Sequence, residues 1–313
     1  MTTDTVMVSC ENLVKIYKTK ETEVLALQGL DLTVNAGELV GIIGNSGSGK
    51  STLLNMLGGL DRPTAGTLFV NGINMNKIKD KDLIRYRRDT VGFVWQNNAR
   101  NLVPYLTATE NVELIMRIGH GRLSAEDHQR SQELLRMVGL EHRKDNKLQE
   151  MSGGEQQRVA IAIALANQPK MILADEPTGA VDGKTSDQIL QVFRDINETL
   201  GTTIIIVTHD MSLSRKVNRV VAIRDGKTSS EFIRRHKYSS AISEMGRFLD
   251  EDSHEELVVM DRAGRIQLPK EYLDAMHVTH KDKLRMEFKD QKQIVIEAIP
   301  PEESQEQNQE ETP

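Results

Sequence analysis

Gly44-Asn45-Ser46-Gly47-Ser48-Gly49-Lys50-Ser51-Thr52 holds every fixed position of a phosphate-cradling loop, G-x-x-x-x-G-K-[ST]. Its glycines let backbone N–H groups curl around phosphate oxygens, and a helix starting there adds partial positive charge. Lys50 is placed to reach β- and γ-phosphates, and Ser51 to ligate Mg²⁺. The bland alternative is a flexible glycine-rich loop. Against it stand the lysine, the hydroxyl and the flanks: an apolar run, Leu39–Ile43, before the loop, and Leu53, Leu54, Met56 and Leu57 at helical spacing after it.

Four further groups follow in order. Gln96 ends an apolar stretch 46 residues after Lys50. Met151-Ser152-Gly153-Gly154-Glu155-Gln156-Gln157-Arg158 precedes a helical pattern. Asp175-Glu176 ends an apolar strand 23 residues after Ser152, with Asp182 six residues beyond Glu176. His209 ends the next apolar strand. Paired carboxylates at a strand end suit metal binding and proton abstraction. A lone histidine there is usually structural, and only the constellation lifts this one.

The elements that must position these groups read as an α/β fold. Residues 7–14 and 22–35 contain alternating runs, expected to pair as an antiparallel β-layer. Residues 66–72 form another strand ending in Asn-Gly, 80–88 a charged helix, and 90–96 a buried strand. Thr107-Ala-Thr-Glu110 is a capping box, and a second helix starts at Ser124, which together suggest an all-helical insertion. A helix then runs from Glu155 to about Ala166, a strand over 171–175, and a helix from about Thr185 to Leu200, stopped by Gly201. Strands at 203–207 and 219–223 follow, the last closed by Asp225-Gly226. Strands alternating with helices imply a mostly parallel sheet.

Composition narrows the function classes. With 313 residues there is room for one large domain and a smaller one. A net charge of −6 gives no general nucleic-acid signal, and the single cysteine, Cys10, excludes an intramolecular disulfide. No apolar run nears the roughly 18 residues that span a membrane, and residues 1–5 lack signal-peptide features. A cytoplasmic protein is expected, with any membrane role supplied by another chain.

The order and spacing of these motifs resembles the ATP-binding subunit of ABC transporters, over about residues 6–228. The stretches Ser51–Gly66 and Thr107–Val112 look like the subgroup serving lipoprotein release, macrolide export and cell-division permeases. The resemblance implies an ABC-type P-loop NTPase fold over 1–228, with a helical subdomain at about 97–165. It implies an ATPase, and a head-to-tail homodimer with two ATP molecules at the interface. It implies a separate membrane permease that holds the ATPase on the cytoplasmic face of the membrane, driving export, extraction or mechanotransmission. Asp175 would hold Mg²⁺ through water, alongside Ser51 and Gln96. Glu176 would orient or deprotonate the attacking water, and His209 would couple the γ-phosphate to it. With Lys50 and Gln96 these form the expected catalytic set. Ser152, Gly153, Gly154 and Glu155 would close over ATP on the other subunit, and Asp182 would report across that interface. Tyr17 stands where the family places an aromatic on the adenine. Departures are Trp95 for the usual Phe, Ile163 for Arg, Ala180-Val181-Asp182 for Ala/Asn-Leu-Asp, and a loop after Gln96 that looks two residues longer. That loop meets the membrane subunit in the family, so it bears on the fit to a permease.

After residue 228 the chain changes character. Residues 229–254 read as a polar linker helix with an amphipathic stretch around Ile242, Met245 and Phe248, and 300–313 as a disordered acidic tail. Residues 255–299 form a strand-rich module: a strand from Leu257, a Gly264 turn, a second strand, a short helix after Pro269, and a hairpin over 284–296. It resembles the swapped-hairpin domain of AbrB-type regulators, which binds DNA as an interleaved dimer through arginines near positions matching Arg262 and Arg265. A DNA-binding regulator is therefore the alternative function. However, 255–299 holds eight Lys/Arg and nine Asp/Glu, net −1, which favours a dimerising device over a DNA binder.

Overall fold

The computed structural model describes residues 5–19, 21–96, 101–210, 213, 216–234, 254–260, 264–279, 282–290 and 293–298. The chain divides into two units, 1–257 and 258–313.

The first unit is built on two sheets. β1 (Val6–Lys18) and β2 (Glu23–Asn35) pair antiparallel, and β4 (Ala65–Val70) and β5 (Ile73–Asn74) extend that sheet beyond β1. The second sheet has parallel β3 (Leu39–Ile43) at its heart, flanked by β8 (Thr203–Thr208) and β9 (Arg219–Arg224). β7 (Met171–Asp175) and β6 (Val91–Val94) continue it in parallel. This is the expected mixed α/β architecture. β8 shows why these strands read as unbroken apolar runs: Ile204 and Ile206 enter one core and Ile205 and Val207 the other, on opposite faces of the sheet.

Helices cover both faces. α1 (Lys50–Leu57) follows β3 and buries Leu53, Leu54, Met56 and Leu57; α2 (Asp80–Asp89) buries only Tyr86. α3 (Ala108–His120) and α4 (Ala125–Met137) each open on a reciprocal capping box, at Thr107/Glu110 and Ser124/Asp127. α5 (Gly153–Ala164) and α6 (Gly183–Leu200) complete the set, and Gly201 ends α6 in the left-handed conformation.

One expectation needs correction. The sheet does not close at residue 225, and no linker begins at 229: Asp225 (φ 49°) and Gly226 (φ 71°) turn the chain into β10 (Lys227–Arg234), antiparallel to β9. Two successive positive φ angles are what a tight hairpin turn demands, and Asp-Gly supplies them. The buried Ser229 and Ser230 made the returning strand look like a polar linker. β11 (His254–Val258) adds an outer strand beside β10, so the first unit runs past 255 to Leu257. The amphipathic stretch around Ile242, the loop 97–100, Arg262 and the acidic tail lie outside the described residues.

The second unit is small. An isolated bridge joins Met260 to Ile266, and α7 (Lys270–Ala275) starts after Pro269. β12 (Leu284–Asp290) and β13 (Gln293–Ala298) form the expected hairpin.

Candidate functional site

The site begins where β3 ends. Gly49 has φ 102°, and a Cβ there would come within 2.6 Å of both the Ala26 carbonyl oxygen and Leu27 Cδ2, so only glycine fits. The turn delivers Lys50 and Ser51 as the first residues of α1. Lys50 is buried, and its Nζ donates to the carbonyls of Gly44 (2.7 Å) and Asn45 (2.9 Å), which fixes the ammonium across the loop. Burial lowers its pKa, opposed by the charges of Glu176 and Asp175. A lysine on this loop with two carboxylates facing it is a bed for phosphate and a counter-cation.

The carboxylates arrive on β7. Ser51 Oγ donates to Asp175 Oδ1 at 3.5 Å, joining the loop to the strand end. Glu176 then turns out of the sheet with φ 48°, a left-handed conformation uncommon for a residue with a side chain and concentrated at functional positions. Its side chain is held on two oxygens. Oε2 accepts from Thr208 Oγ1 at 2.9 Å; Oε1 accepts from the His209 backbone N–H at 2.9 Å and lies 2.9 Å from His209 Nδ1. β7 and β8 are adjacent and parallel, which brings these residues together at one sheet end. Gln96, just beyond β6, joins them: a Cβ built on Gly179 would lie 3.6 Å from Glu176 Cβ and 3.7 Å from Gln96 Nε2. Beside Gln96, the rings of Phe93 and Trp95 stack at 4.5 Å.

Thr208 was not singled out in the sequence. One hydroxyl beside His209, at the end of an apolar strand, is the only mark it leaves there.

Ser152, Gly153 and Gly154 stand apart from this cluster, at the start of α5. Ser152 Oγ accepts from Glu155 N–H, and Ser152 N–H donates to Glu155 Oε2 at 2.8 Å. That bond is the main reason the Glu155 carboxyl is held below its usual range, with Arg143 and Arg158 adding to it. Ser152 and Gly153 are exposed. Asp182 is the N-cap of α6: its carboxylate accepts from the Thr185 hydroxyl (2.7 Å) and backbone N–H (3.0 Å), which lower its pKa. The two helix starts abut, since a Cβ on Gly154 would strike Thr185 Cγ2 at 2.3 Å. Two adjacent N-termini thus present their positive ends together.

Tyr17, near the end of β1, donates its hydroxyl to Asp61 Oδ2 at 2.9 Å and also interacts with Thr52. Its phenol pKa is raised, first by burial.

Comparisons with known proteins agree with this geometry. Residues 27–179 match the ABC transporter family. The chain is 46% identical over 228 residues to the ABC transporter ATP-binding protein MJ0796 of Methanocaldococcus jannaschii, covering 72% of this chain and 96% of that protein. It is 49% identical over 221 residues to the ABC transporter ATP-binding protein YvrO of Bacillus subtilis, covering 71% and 95%. Among solved structures, the dimeric post-hydrolysis state of the ATP-binding cassette MJ0796 bound to ADP and Pi aligns with a TM-score of 0.65 at 45% identity, covering 72% of this chain and 97% of that one. CbiO1 from Clostridium perfringens, part of the ABC transporter complex cbiONQ, aligns with a TM-score of 0.65 at 27% identity, covering 72% and 87%.

Proposed function

The chain belongs to the ABC transporter ATP-binding family, and from that premise we infer that it binds and hydrolyses ATP as the ATPase subunit of a transporter. The observation that carries the hydrolytic reading is the clamped Glu176 carboxylate. Thr208 and His209 fix both its oxygens at the end of β7, beside the Ser51–Asp175 pair. A carboxylate so held can take a proton from an attacking water. Lys50 and the loop amides would bind the phosphates, and His209 would link the γ-phosphate to Glu176.

Ser51, Asp175 and Gln96 offer a hydroxyl, a carboxylate and an amide oxygen, the hard donors that Mg²⁺ prefers. Bound there with ATP, Mg²⁺ would neutralise phosphate charge.

The catalytic unit is proposed to be a head-to-tail dimer. MJ0796 has been solved as a dimer. The abutting starts of α5 and α6, where Ser152, Gly153 and Asp182 are exposed, supply the surface that would close over a partner's ATP: Ser152, Gly153 and Gly154 on the phosphates, Asp182 beside them. The permease is proposed to be a separate chain, as the family resemblance implies; no described helix is long and apolar enough to cross a membrane. That permease would seat the ATPase at the cytoplasmic membrane face. A cleft of about 230 Å³, lined by Arg87, Arg88, Phe93, Ile115 and Ile163 among others, supports such docking. Ile163, where the family usually has arginine, makes its floor more apolar. The chain is proposed to serve the lipoprotein-release, macrolide-export and cell-division subgroup, a reading supported by the sequence likeness of Ser51–Gly66 and Thr107–Val112. The curated relatives are transporter proteins, which leaves the DNA-regulator alternative without support.

The second unit is proposed to dimerise in the manner of the AbrB-type hairpins it resembles. In the β12–β13 register Leu284 faces Ala298, Met286 faces Ile296 and Phe288 faces Ile294. Facing residues share one side of a sheet, so across these three pairs that side is apolar. Yet Phe288 is 84% exposed, Met286 61% and Ile294 53%. A lone two-stranded hairpin is barely stable in water. The occupant proposed for this face is the same face of a second copy.

Phosphate release by the purified chain, with and without Glu176→Gln, tests the hydrolytic reading. Absence of ATP-dependent release in the wild type, alone and with its permease, would overturn it.

A further inference from the structure

Tyr17 is held by more than its own strand. Lys15, two residues earlier on β1, places its Nζ 4.8 Å from the centre of the Tyr17 ring. The same ammonium meets Asp61 Oδ1 at 2.6 Å and donates to the Arg62 carbonyl at 2.9 Å. The other oxygen of Asp61 accepts from the Tyr17 hydroxyl. Asp61 also takes the backbone N–H of Arg62 at 2.7 Å, so the carboxylate is fixed by its own loop. Lys15, Tyr17 and Asp61 therefore close a ring of contacts between β1 and the loop after α1. Tyr17 keeps 38% exposure despite them.

We propose that Lys15 is a positioning residue for the nucleotide base: with Asp61 it locks the Tyr17 ring, covering one ring face and leaving the other for adenine. The inference rests on the ATP reading above and extends it from the aromatic residue to its support. A ring fixed in advance loses little freedom when a base stacks on it. A cation held against one face by a carboxylate cannot swing round to compete for the other. Lys15 would thus act on the base and not on the phosphates, whose contacts come from Lys50 and the loop.

The test uses the full chain, with ATP and inorganic tripolyphosphate as probes; the latter has phosphates but no base. Lys15→Met should raise the KM for ATP roughly three- to tenfold, the size expected for a cation–aromatic contact plus the ordering it provides, with kcat unchanged. Inhibition by tripolyphosphate should not change. Lys15→Arg should restore the KM to within about twofold, since a guanidinium also stacks on an aromatic face. In a Tyr17→Ala background, Lys15→Met should add nothing, as residues acting through one contact are not additive. An equal loss for tripolyphosphate, or a loss that persists without Tyr17, would overturn the proposal. So would a lowered melting temperature with an unchanged KM, the mark of a merely structural tie. If Tyr17→Ala itself leaves the KM for ATP unchanged, the adenine assignment falls and the inference with it. If only Lys15→Met is silent, the inference alone falls.

Discussion

Phe288→Asp offers the sharpest test of the second unit. In one chain the ring is 84% exposed, so a dimer that covers it removes nearly a whole phenylalanine side chain from water. That is worth about 1.5–3 kcal/mol. A two-fold dimer buries it twice, about 3–6 kcal/mol, or roughly 10²–10⁴ in the dissociation constant. Aspartate would add the cost of bringing two carboxylates into an apolar seam. Within one chain the same change should be mild, about 0.2–1 kcal/mol from the lost pair with Ile294. Light scattering without nucleotide, over a range of protein concentrations, separates the two effects. Full-length protein should be dimeric, the variant monomeric at micromolar concentration, and a chain cut after Val258 monomeric too. The cut is placed there to spare the outer strand β11. Tethering would raise the mutual concentration of the ATPase units toward millimolar, so only the cut and substituted forms should show specific ATPase activity that rises with protein concentration. A monomeric full-length protein, or a variant that dimerises as tightly as wild type, refutes the reasoning.

Three other predictions concern the ATPase unit. Glu176→Gln keeps the shape held by Thr208 and His209, so ATP binding should persist while phosphate release falls about 10²–10⁴-fold; near-normal turnover would remove Glu176 from the base role. Ser152→Arg should block turnover but spare the nucleotide affinity of a single chain, and because Ser152 caps α5 it should also cost about 1 kcal/mol of stability. Collapse of single-chain affinity would defeat the cross-subunit assignment. For Asp61, burial alone would raise the pKa, but bonds from Lys15, Tyr17 and Arg62 N–H outweigh it and hold the carboxyl below its usual range. A depressed folded value means the stabilisation is full above the unfolded pKa of about 3.9 and is lost as pH falls through the folded value. The melting-temperature gap between wild type and Asp61→Asn should therefore close in acid; a gap that widens has the wrong sign.

How much was legible in the sequence depended on how local each signal is. The loop Gly44–Thr52 is contiguous, and the capping pair Thr107/Glu110 is three residues apart, so pattern alone exposes them. The clamp on Glu176 is different. Its partners lie 32 and 33 residues away and meet it only because β7 and β8 run side by side. His209 was found through a family likeness, whereas Thr208, a plain hydroxyl in an apolar run, has no period to betray it. The support of Tyr17 was illegible for the same reason, since Asp61 is 44 residues off. The Asp225-Gly226 turn is legible but β10 behind it is not, because its buried serines imitate a linker.

The second unit shows the limit of periodicity from the other side. Alternation in Leu284–Phe288 and Ile294–Ile296 correctly implies a hairpin with one apolar face. In β8 each residue from Ile204 to Val207 finds a core, because cores of the same chain lie on both faces of the sheet. On β12 and β13 the alternation leaves Phe288 and Met286 in water. A period of two states which side of a strand needs covering, and nothing about what covers it. The cover must match an apolar strip three cross-strand pairs long. In the hairpin register Arg285 and Glu287 of β12 lie on the opposite side, so the apolar strip carries no charge of its own to repel an identical surface. A second copy meets both conditions by identity.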